Sequence, residues 1–391
     1  MSTPPNAAAI ESAGPHRFSR EVILLACLGL LLIFFASTAF LTRMYHHQVH
    51  TLGDEWFAKG EASFQAHDIE AALTDYRNAL VYSPNSTNFQ FHLAQALAAA
   101  GRGDEARAYL LNLLSESPGD GQINLELARI AARQGAMPEA LRYYHAAVYG
   151  VWDSDPIAMR WRLRRELCEY LLDHGAANQA VAELILLAEN TPPDDTEELK
   201  IVGNLLLRAQ LWPRALSAFH SVLAAEPRDA EAMRGAGTAA FQLGQYLQAV
   251  EYFDRLPHDQ AADSQVTQMI ETSREILDGD PFRPGIPDDV RAQRAATALA
   301  TAESRVQECA SGRGISLTDS PPKSDLQTAY AMSQQKKTNW SEHSLRRFPD
   351  RVDEAMSIAF RLEDLATQTC GAPQGKDNAL WLLGRSRGVI P

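Results

Sequence analysis

Six alanines recur along the middle of this 391-residue chain at almost constant spacing. They are separated by 34, 34, 40, 35 and 34 residues, at Ala72, Ala106, Ala140, Ala180, Ala215 and Ala249. A bulky residue follows each alanine four positions later, at Tyr76, Leu110, Tyr144, Leu184, Phe219 and Phe253. A period near 34 residues is typical of helix pairs that stack on one another. The spacing therefore predicts an all-α solenoid of about six hairpins.

Each position in this pattern has a packing role. The alanine lets the two helices of a hairpin approach closely, and the bulky residue fills the gap against the next hairpin. Four units also end with a proline that stops the second helix, at Pro84, Pro118, Pro192 and Pro227. The 40-residue step contains VYGVWDSDPIAMRW and predicts a bend between the third and fourth units. The fourth unit, residues 161–194, departs most, with Cys168 where the pattern has Gly or Ala.

The first unit, residues 53–86, matches a known repeat at six positions: Trp56, Gly60, Ala72, Tyr76, Ala79 and Pro84. These residues resemble the tetratricopeptide-repeat (TPR) family, and the resemblance covers residues 53–263. It implies a scaffold that binds other proteins and performs no catalysis. A lone helix after Asp263 is expected to cap the last hairpin, so we place the solenoid at 53–279.

Val22–Leu41 contains twenty residues without a charge, enough to cross a hydrocarbon core of about 30 Å as a helix. We predict a transmembrane helix at 22–42 after a disordered tail at 1–21. A cleaved signal peptide is the alternative, although its apolar stretch is usually only about 7 to 15 residues. Cys27 follows a sequence that resembles a lipoprotein processing site, but the apolar stretch continues beyond it.

The positive-inside rule does not decide the membrane orientation, because two cations flank each end of the apolar stretch. Arg17 and Arg20 precede it, and Arg43 and Lys59 follow it. A short tail before a large body is typical of a signal anchor. We therefore expect a single-pass inner (plasma) membrane protein with its body outside the cytoplasm, similar in layout to bacterial single-span proteins with periplasmic tetratricopeptide repeats. A body that faces the cytoplasm differs only in topology.

The residue after each packing position on a first helix points toward the inside of a solenoid. Aromatic residues occupy these positions in the early units, and cations and amides occupy them later. The predicted partner-binding groove comprises Phe57, Phe64, Phe91, Arg129, Arg133, Arg162, Arg165, Lys200, Asn204, Arg208 and Arg234. Because arginine pairs bidentately with carboxylates, we expect acidic or C-terminal peptide segments as ligands.

An alternative is that these cations neutralise acids on the same helices, namely Glu126, Glu166, Glu169, Glu197 and Glu231. Lys200 and Asn204 also resemble half of the carboxylate clamp found in chaperone-binding tetratricopeptide domains. The next unit lacks the other clamp residues.

DPFRPGIP at 280–287 separates the solenoid from a C-terminal helical domain at 288–391. We predict helices at 288–309, 325–338 and 348–370, with a short one near 378–383. If the first and third run parallel, Cys309 and Cys370 lie at the same end of the bundle, where they either form a disulfide or remain two buried thiols.

The remaining features argue against several kinds of chemistry. A formal charge of -13 disfavours nucleic-acid binding, and the four cysteines form no CxxC. No hydrolase, nucleotide-binding or metalloprotease motif occurs. His46 and His50 lie one turn apart but lack a third ligand, so we expect no metal.

We accordingly expect no cofactor, no small-molecule substrate and no enzyme activity. The sequence favours a membrane-anchored adaptor for protein or peptide partners in the cell envelope. The alternative is an accessory subunit of an envelope enzyme complex, with 288–391 contributing to activity.

Overall fold

The first helix joins the apolar stretch to the repeats without a break. In the computed structural model, which describes residues 20–257, 263–319 and 321–390, α1 runs over Arg20–Gln65. No proline occurs between residues 20 and 65, and Gly53 is buried against Phe89 and Tyr82. The predicted end at residue 42 therefore does not interrupt the helix. Most of the predicted tail, residues 1–19, lies outside the described residues.

Three hairpins follow in the first of two compact units, which ends at Pro156. The end of α1 pairs with α2 (Ile69–Tyr82), α3 (Thr87–Ala99) pairs with α4 (Gly103–Glu116), and α5 (Gly121–Arg133) pairs with α6 (Met137–Val148). Asp68, Ser86 and Asp120 each accept a hydrogen bond from a backbone N–H of the helix that they precede. Such caps satisfy donors that a helix start leaves without partners.

Three more hairpins open the second unit, which begins at Ile157. They are formed by α7 (Pro156–Asp173) with α8 (Ala177–Asn190), α9 (Thr196–Arg208) with α10 (Trp212–Ala225), and α11 (Ala230–Gln242) with α12 (Tyr246–Phe253). The helix predicted after Asp263 is α13 (Ser264–Gly279), and it packs beside α12. The division between the units falls in the 40-residue step of the alanine series.

The alanine series forms the centre of the hairpins. All six alanines are completely buried, and their bulky partners are at most 3% exposed. Phe219 shows how tight the packing is, since a Cβ added at Gly235 would lie 2.3 Å from its ring. The pattern predicted from spacing is therefore the packing core, and the all-α fold class is confirmed. Among the described residues, the only extended pairing is an isolated bridge between Asp120 and Val151.

A second periodic feature lies five residues before each alanine. Every turn within a hairpin contains one residue with positive φ, at His67, Gly101, Gly135, Gly175, Gln210 and Gly244. Glycine adopts this left-handed conformation at little cost. The turn positions thus repeat with the same separations as the alanines.

The C-terminal region forms a helical bundle within the second unit. Its helices are α14 (Asp288–Arg313), α15 (Asp325–Gln335), α16 (Glu342–Arg347), α17 (Arg351–Cys370) and α18 (Gly375–Ser386). The core joins α14 and α17 through Ala302, Val306 and Met356, and Trp340 closes one side. The short helix α16 was not predicted. The last helix is attached to α12, because the Tyr246 hydroxyl donates to the Leu382 carbonyl over 3.4 Å.

Candidate protein-binding site

Phe57 lies within an aromatic cluster between the first two hairpins. Its ring stacks on Phe89 at 4.7 Å between centroids, and Tyr76 and His92 lie at 5.7 Å and 5.0 Å. Face and edge contacts of this kind stabilise packing beyond the area that they bury. Phe57 therefore holds two hairpins together and offers only part of its ring to a ligand.

The other two predicted aromatics, Phe64 and Phe91, are half-buried. Phe91 lines an open cleft of about 260 Å³ with Asn88, Ile123 and Asp153. The aromatic surface available in the first unit is therefore centred on Phe91.

The two predicted arginines of the first unit differ in their surroundings. Arg129 lies 3.3 Å from Glu126, which also accepts a hydrogen bond of 3.2 Å from Gln95 of the preceding hairpin. Arg133 is exposed and has no ion pair or hydrogen bond within the part of the chain that the structure describes. Of the two, Arg133 is the cation that a ligand can reach without breaking an internal pair.

In the second unit, Arg165 lies between two carboxylates. Its guanidinium is 3.7 Å from Glu169 on the same helix and 3.5 Å from Glu198 on α9. Burial raises the pKa of Glu198, and the positive charge of Arg165 opposes that rise. Arg162, by contrast, is exposed one turn before, in the field of the same Glu198.

Lys200 is the most enclosed of the predicted cations. Only 8% exposed, it places Nζ 2.7 Å from Glu197 and 3.1 Å from Asp229. Its hydrogen bond to Glu197, reinforced by the one to Asp229, raises the pKa of Lys200. Burial alone would raise the pKa of Asp229, but hydrogen bonds from the Ala232 N–H and from Lys200 lower it. A ligand carboxylate would have to displace these two acids.

The last three predicted residues lie on neighbouring first helices. Asn204 donates to Glu231 over 2.7 Å, and Arg208 donates to Asp173 over 2.5 Å. Arg234 is exposed and lines a cleft of about 390 Å³ with Asn204 and Glu231.

These pairs follow the repeat itself. Gln95–Glu126, Arg165–Glu198, Lys200–Asp229, Asn204–Glu231 and Arg208–Asp173 are separated by 31, 33, 29, 27 and 35 residues. Each joins a first helix to the first helix of an adjacent hairpin or, for Asp229, to the residue that caps it, and we call them the inter-repeat pairs. The predicted basic groove is therefore largely balanced by acids. An acid about one repeat period away on the matching helix face would have revealed these partners in the sequence.

The cysteines occupy three different environments. Cys309 and Cys370, whose Cα atoms are 5.8 Å apart, are joined by a disulfide at the end of the C-terminal bundle. Cys168 is completely buried, and burial raises the pKa of its thiol to about 12. Cys27 lies exposed on the apolar part of α1. No group of three His, Cys, Asp or Glu side chains suited to a metal ion occurs among the described residues.

Three segments match the family described as "Tetratricopeptide repeat": residues 57–121, 99–156 and 203–265. The matches omit 157–202, which contains the most degenerate unit. No curated protein matches the chain.

The chain is similar to several solved structures. One is the C-terminal part of a TPR repeat-containing protein from Cytophaga hutchinsonii, with 15% identity, a TM-score of 0.43, and coverage of 61% of this chain and 93% of that one. Another is the type IV pilus biogenesis factor PilW, with 16% identity, a TM-score of 0.39, and coverage of 56% of this chain and 98% of that one. A third is YrrB, described as a TPR protein with an unusual peptide-binding site. It has 18% identity and a TM-score of 0.38, and the match covers 49% of this chain and 95% of that one.

Proposed function

We propose that this chain is a membrane-anchored scaffold that presents its first helices to protein partners. The proposal starts from the match to tetratricopeptide repeats over residues 57–156 and 203–265. The observation that supports this proposal is the stacking of successive hairpins within each unit. Their first helices bury one side against the second helices and expose polar and aromatic residues on the other. A surface of this kind suits an extended polypeptide segment.

The proposed ligand is a peptide segment rich in acidic groups or ending in its carboxylate. Arg133 and Arg162 support this assignment because both are exposed, and neither belongs to the inter-repeat pairs. Charge-assisted hydrogen bonds to arginine are about twice as strong as neutral ones. Arg165, Lys200 and Arg208 pair with acids of adjacent hairpins, so we assign them to holding these hairpins in register. Arg129 pairs with Glu126 on its own helix.

Membrane attachment is the second part of the proposal. The helix that begins the repeats is apolar and long enough to cross a bilayer. Its large side chains Leu24, Phe34 and Phe35 are 68%, 69% and 73% exposed. Contiguous exposed apolar surface of this size is unfavourable in water and favourable in a lipid core.

The test compares two double variants of the full chain in affinity capture from solubilised native membranes. Arg133→Glu/Arg162→Glu changes one exposed first-helix arginine in each unit, and Arg346→Glu/Arg361→Glu makes the same charge change on exposed sites of the C-terminal bundle. We expect the first variant to lose the partners of the natural chain, with affinity for a purified partner falling about tenfold. The second should retain them. Equal capture by both variants would reject the groove as the binding face.

A further inference from the structure

A cavity unrelated to the first-helix face lies between α13, α14 and α18. Its volume is about 720 Å³, within the range of roughly 300–1,000 Å³ common for ligand sites. Ile276, Ala298, Leu380 and Leu383 close its floor and are at most 8% exposed. The cavity therefore has an apolar base formed by three helices.

One wall of this cavity is acidic. Glu271, Glu275 and Asp278 lie at i, i+4 and i+7 on α13, which places them on one face of the helix. All three are exposed, and none has an ion pair or hydrogen bond among the residues that the structure describes. Like charges at this spacing repel each other along a helix. None of the three carboxylates is thus held by an ion pair of its own.

Two cations that line the cavity are already occupied. Arg274 pairs with Asp254 at 2.7 Å. Arg294 donates to the carbonyls of Leu277 and Asp280, over 3.2 Å and 2.9 Å, and so closes the end of α13. Lys376 is the one cation of the lining without such a partner in the described chain. The lining residues without ion pairs are therefore three acids and one base, so their net charge is negative.

Three further residues of the lining are polar and uncharged. They are Gln293, Thr297 and Thr301 on α14, whose side chains make no hydrogen bond within the described residues. They can donate to or accept from a ligand without breaking an existing contact. An apolar floor lined also by unpaired acids on α13 and neutral polar residues on α14 is complementary to an amphipathic segment with basic residues on one side.

We propose that this cavity binds a basic amphipathic helix of another protein. One apolar side chain would rest on the floor, and Lys or Arg residues a turn apart would face Glu271, Glu275 and Asp278. This is the helix-in-groove mode, in which residues at i, i+3 or i+4 and i+7 anchor the ligand. The site is separate from the first helices of the hairpins, so it extends the scaffold with a second kind of partner.

The experiment uses the full chain in lipid nanodiscs and fluorescence anisotropy. The probe is a labelled helical peptide of leucine, alanine and lysine, about 14 residues or four turns long, and its counterpart has glutamate in place of lysine. We expect the lysine peptide to bind in a salt-dependent manner and the glutamate peptide to bind at least about tenfold more weakly.

Two variants distinguish the cavity from general attraction to an acidic protein. Glu271→Gln/Glu275→Gln/Asp278→Asn should weaken the lysine peptide about tenfold. The control Glu308→Gln/Glu342→Gln/Asp353→Asn removes the same charge from exposed positions outside the cavity and should leave binding unchanged. Ala298→Trp, which fills the floor, should also weaken binding. No binding of the lysine peptide, or equal losses in the two triple variants, would overturn the proposal.

Discussion

At the scale of single residues, glycines of the first helices define how closely neighbouring helices pack. The Phe219 ring lies beneath both Gly203 and Gly235, where an added Cβ would be 2.7 Å and 2.3 Å from it. A ring enclosed in this way cannot move far without disturbing the alanine core.

Gly235→Ala is therefore expected to destabilise the second unit by about 1–3 kcal/mol through overpacking. Gly312→Ala is the matched control, because nothing lies within 4 Å of the Cβ it would add. There the better helix propensity of alanine should leave stability unchanged or slightly higher. Urea unfolding followed by circular dichroism measures both, and equal midpoints would contradict this account of the packing.

Glu363 is expected to make the stability of the C-terminal bundle depend on pH, and its raised pKa sets the sign of that dependence. It is completely buried and accepts a hydrogen bond from Arg305, which also donates to Thr367 and to the Gly371 carbonyl. Burial raises the pKa of Glu363 from 4.5 to about 7, although the positive charge of Arg305 opposes the rise. Asp377, whose pKa is also raised, belongs to the same cluster of charges.

Because the folded state retains a proton on Glu363 that the unfolded chain releases, stability should fall as pH rises through the window between 4.5 and about 7. We expect a loss of about 2 kcal/mol between pH 5 and 7.5. Glu363→Gln should flatten this slope. Glu354→Gln is the control, since hydrogen bonding to Lys336 lowers the pKa of Glu354 and gives the opposite sign. A slope that Glu363→Gln leaves unchanged would show that another group titrates.

The groove residues show which contacts could be predicted from the sequence and which could not. The first-helix positions of Arg165, Lys200 and Arg208 could be inferred from helical periodicity, but the partners that they have on adjacent hairpins could not be inferred from neighbours along one helix. Glu198, Asp229 and Asp173 lie about one repeat away in sequence and become adjacent only when hairpins stack. Arg129 with Glu126 and Lys200 with Glu197 were within reach, because they lie three residues apart.

Among the elements, the hairpins were predictable because an alanine and a bulky residue mark each second helix and a proline ends four of the six. Two details were not. The apolar stretch and the first repeat form one helix, α1, because no helix-breaking residue lies between that stretch and Gly53. The spacing of the repeats gives no information about this connection. The six residues of α16 are too few to show a period.

The disulfide constrains two helices of the C-terminal bundle. It closes a separation of 61 residues and joins the ends of α14 and α17. A loop of this length corresponds to about 4 kcal/mol of stabilisation in the chain-entropy model. The segment 371–374 leads directly from Cys370 into α18.

Cys309→Ser/Cys370→Ser should therefore lower the stability of the bundle by about 3–4 kcal/mol and increase amide exchange in α18. Cys168→Ala is the comparison, because it changes a buried thiol that lies outside the bond. Mass spectrometry of the natural chain without reduction should find the two peptides linked. Separate peptides, or unchanged exchange in the double variant, would contradict a structural role.

For the molecule as a whole, the proposed membrane attachment makes topology decide which partners can reach the hairpins. A disulfide is stable in an oxidising compartment and rare in the cytoplasm. We therefore expect the body to lie outside the cytoplasm, even though the flanking charges balance.

Alkaline phosphatase fused after residue 391 should be active, and a green fluorescent protein fusion at the same position should be dark when exported by the general secretory route. The reverse result would place the body in the cytoplasm and leave the cysteines reduced. Both fusions also report cleavage, because a processed chain would lose the apolar segment and leave the membrane fraction.

If protein partners bind the first helices of the hairpins, photo-crosslinking in intact membranes should capture them at positions on those helices. Benzoylphenylalanine would replace Arg133 or Arg162 on first helices, and Arg77 or Ser217 at exposed positions on second helices. We predict protein adducts from the first pair and none from the second. Adducts only from the second helices, or from none of the four positions, would contradict the claim.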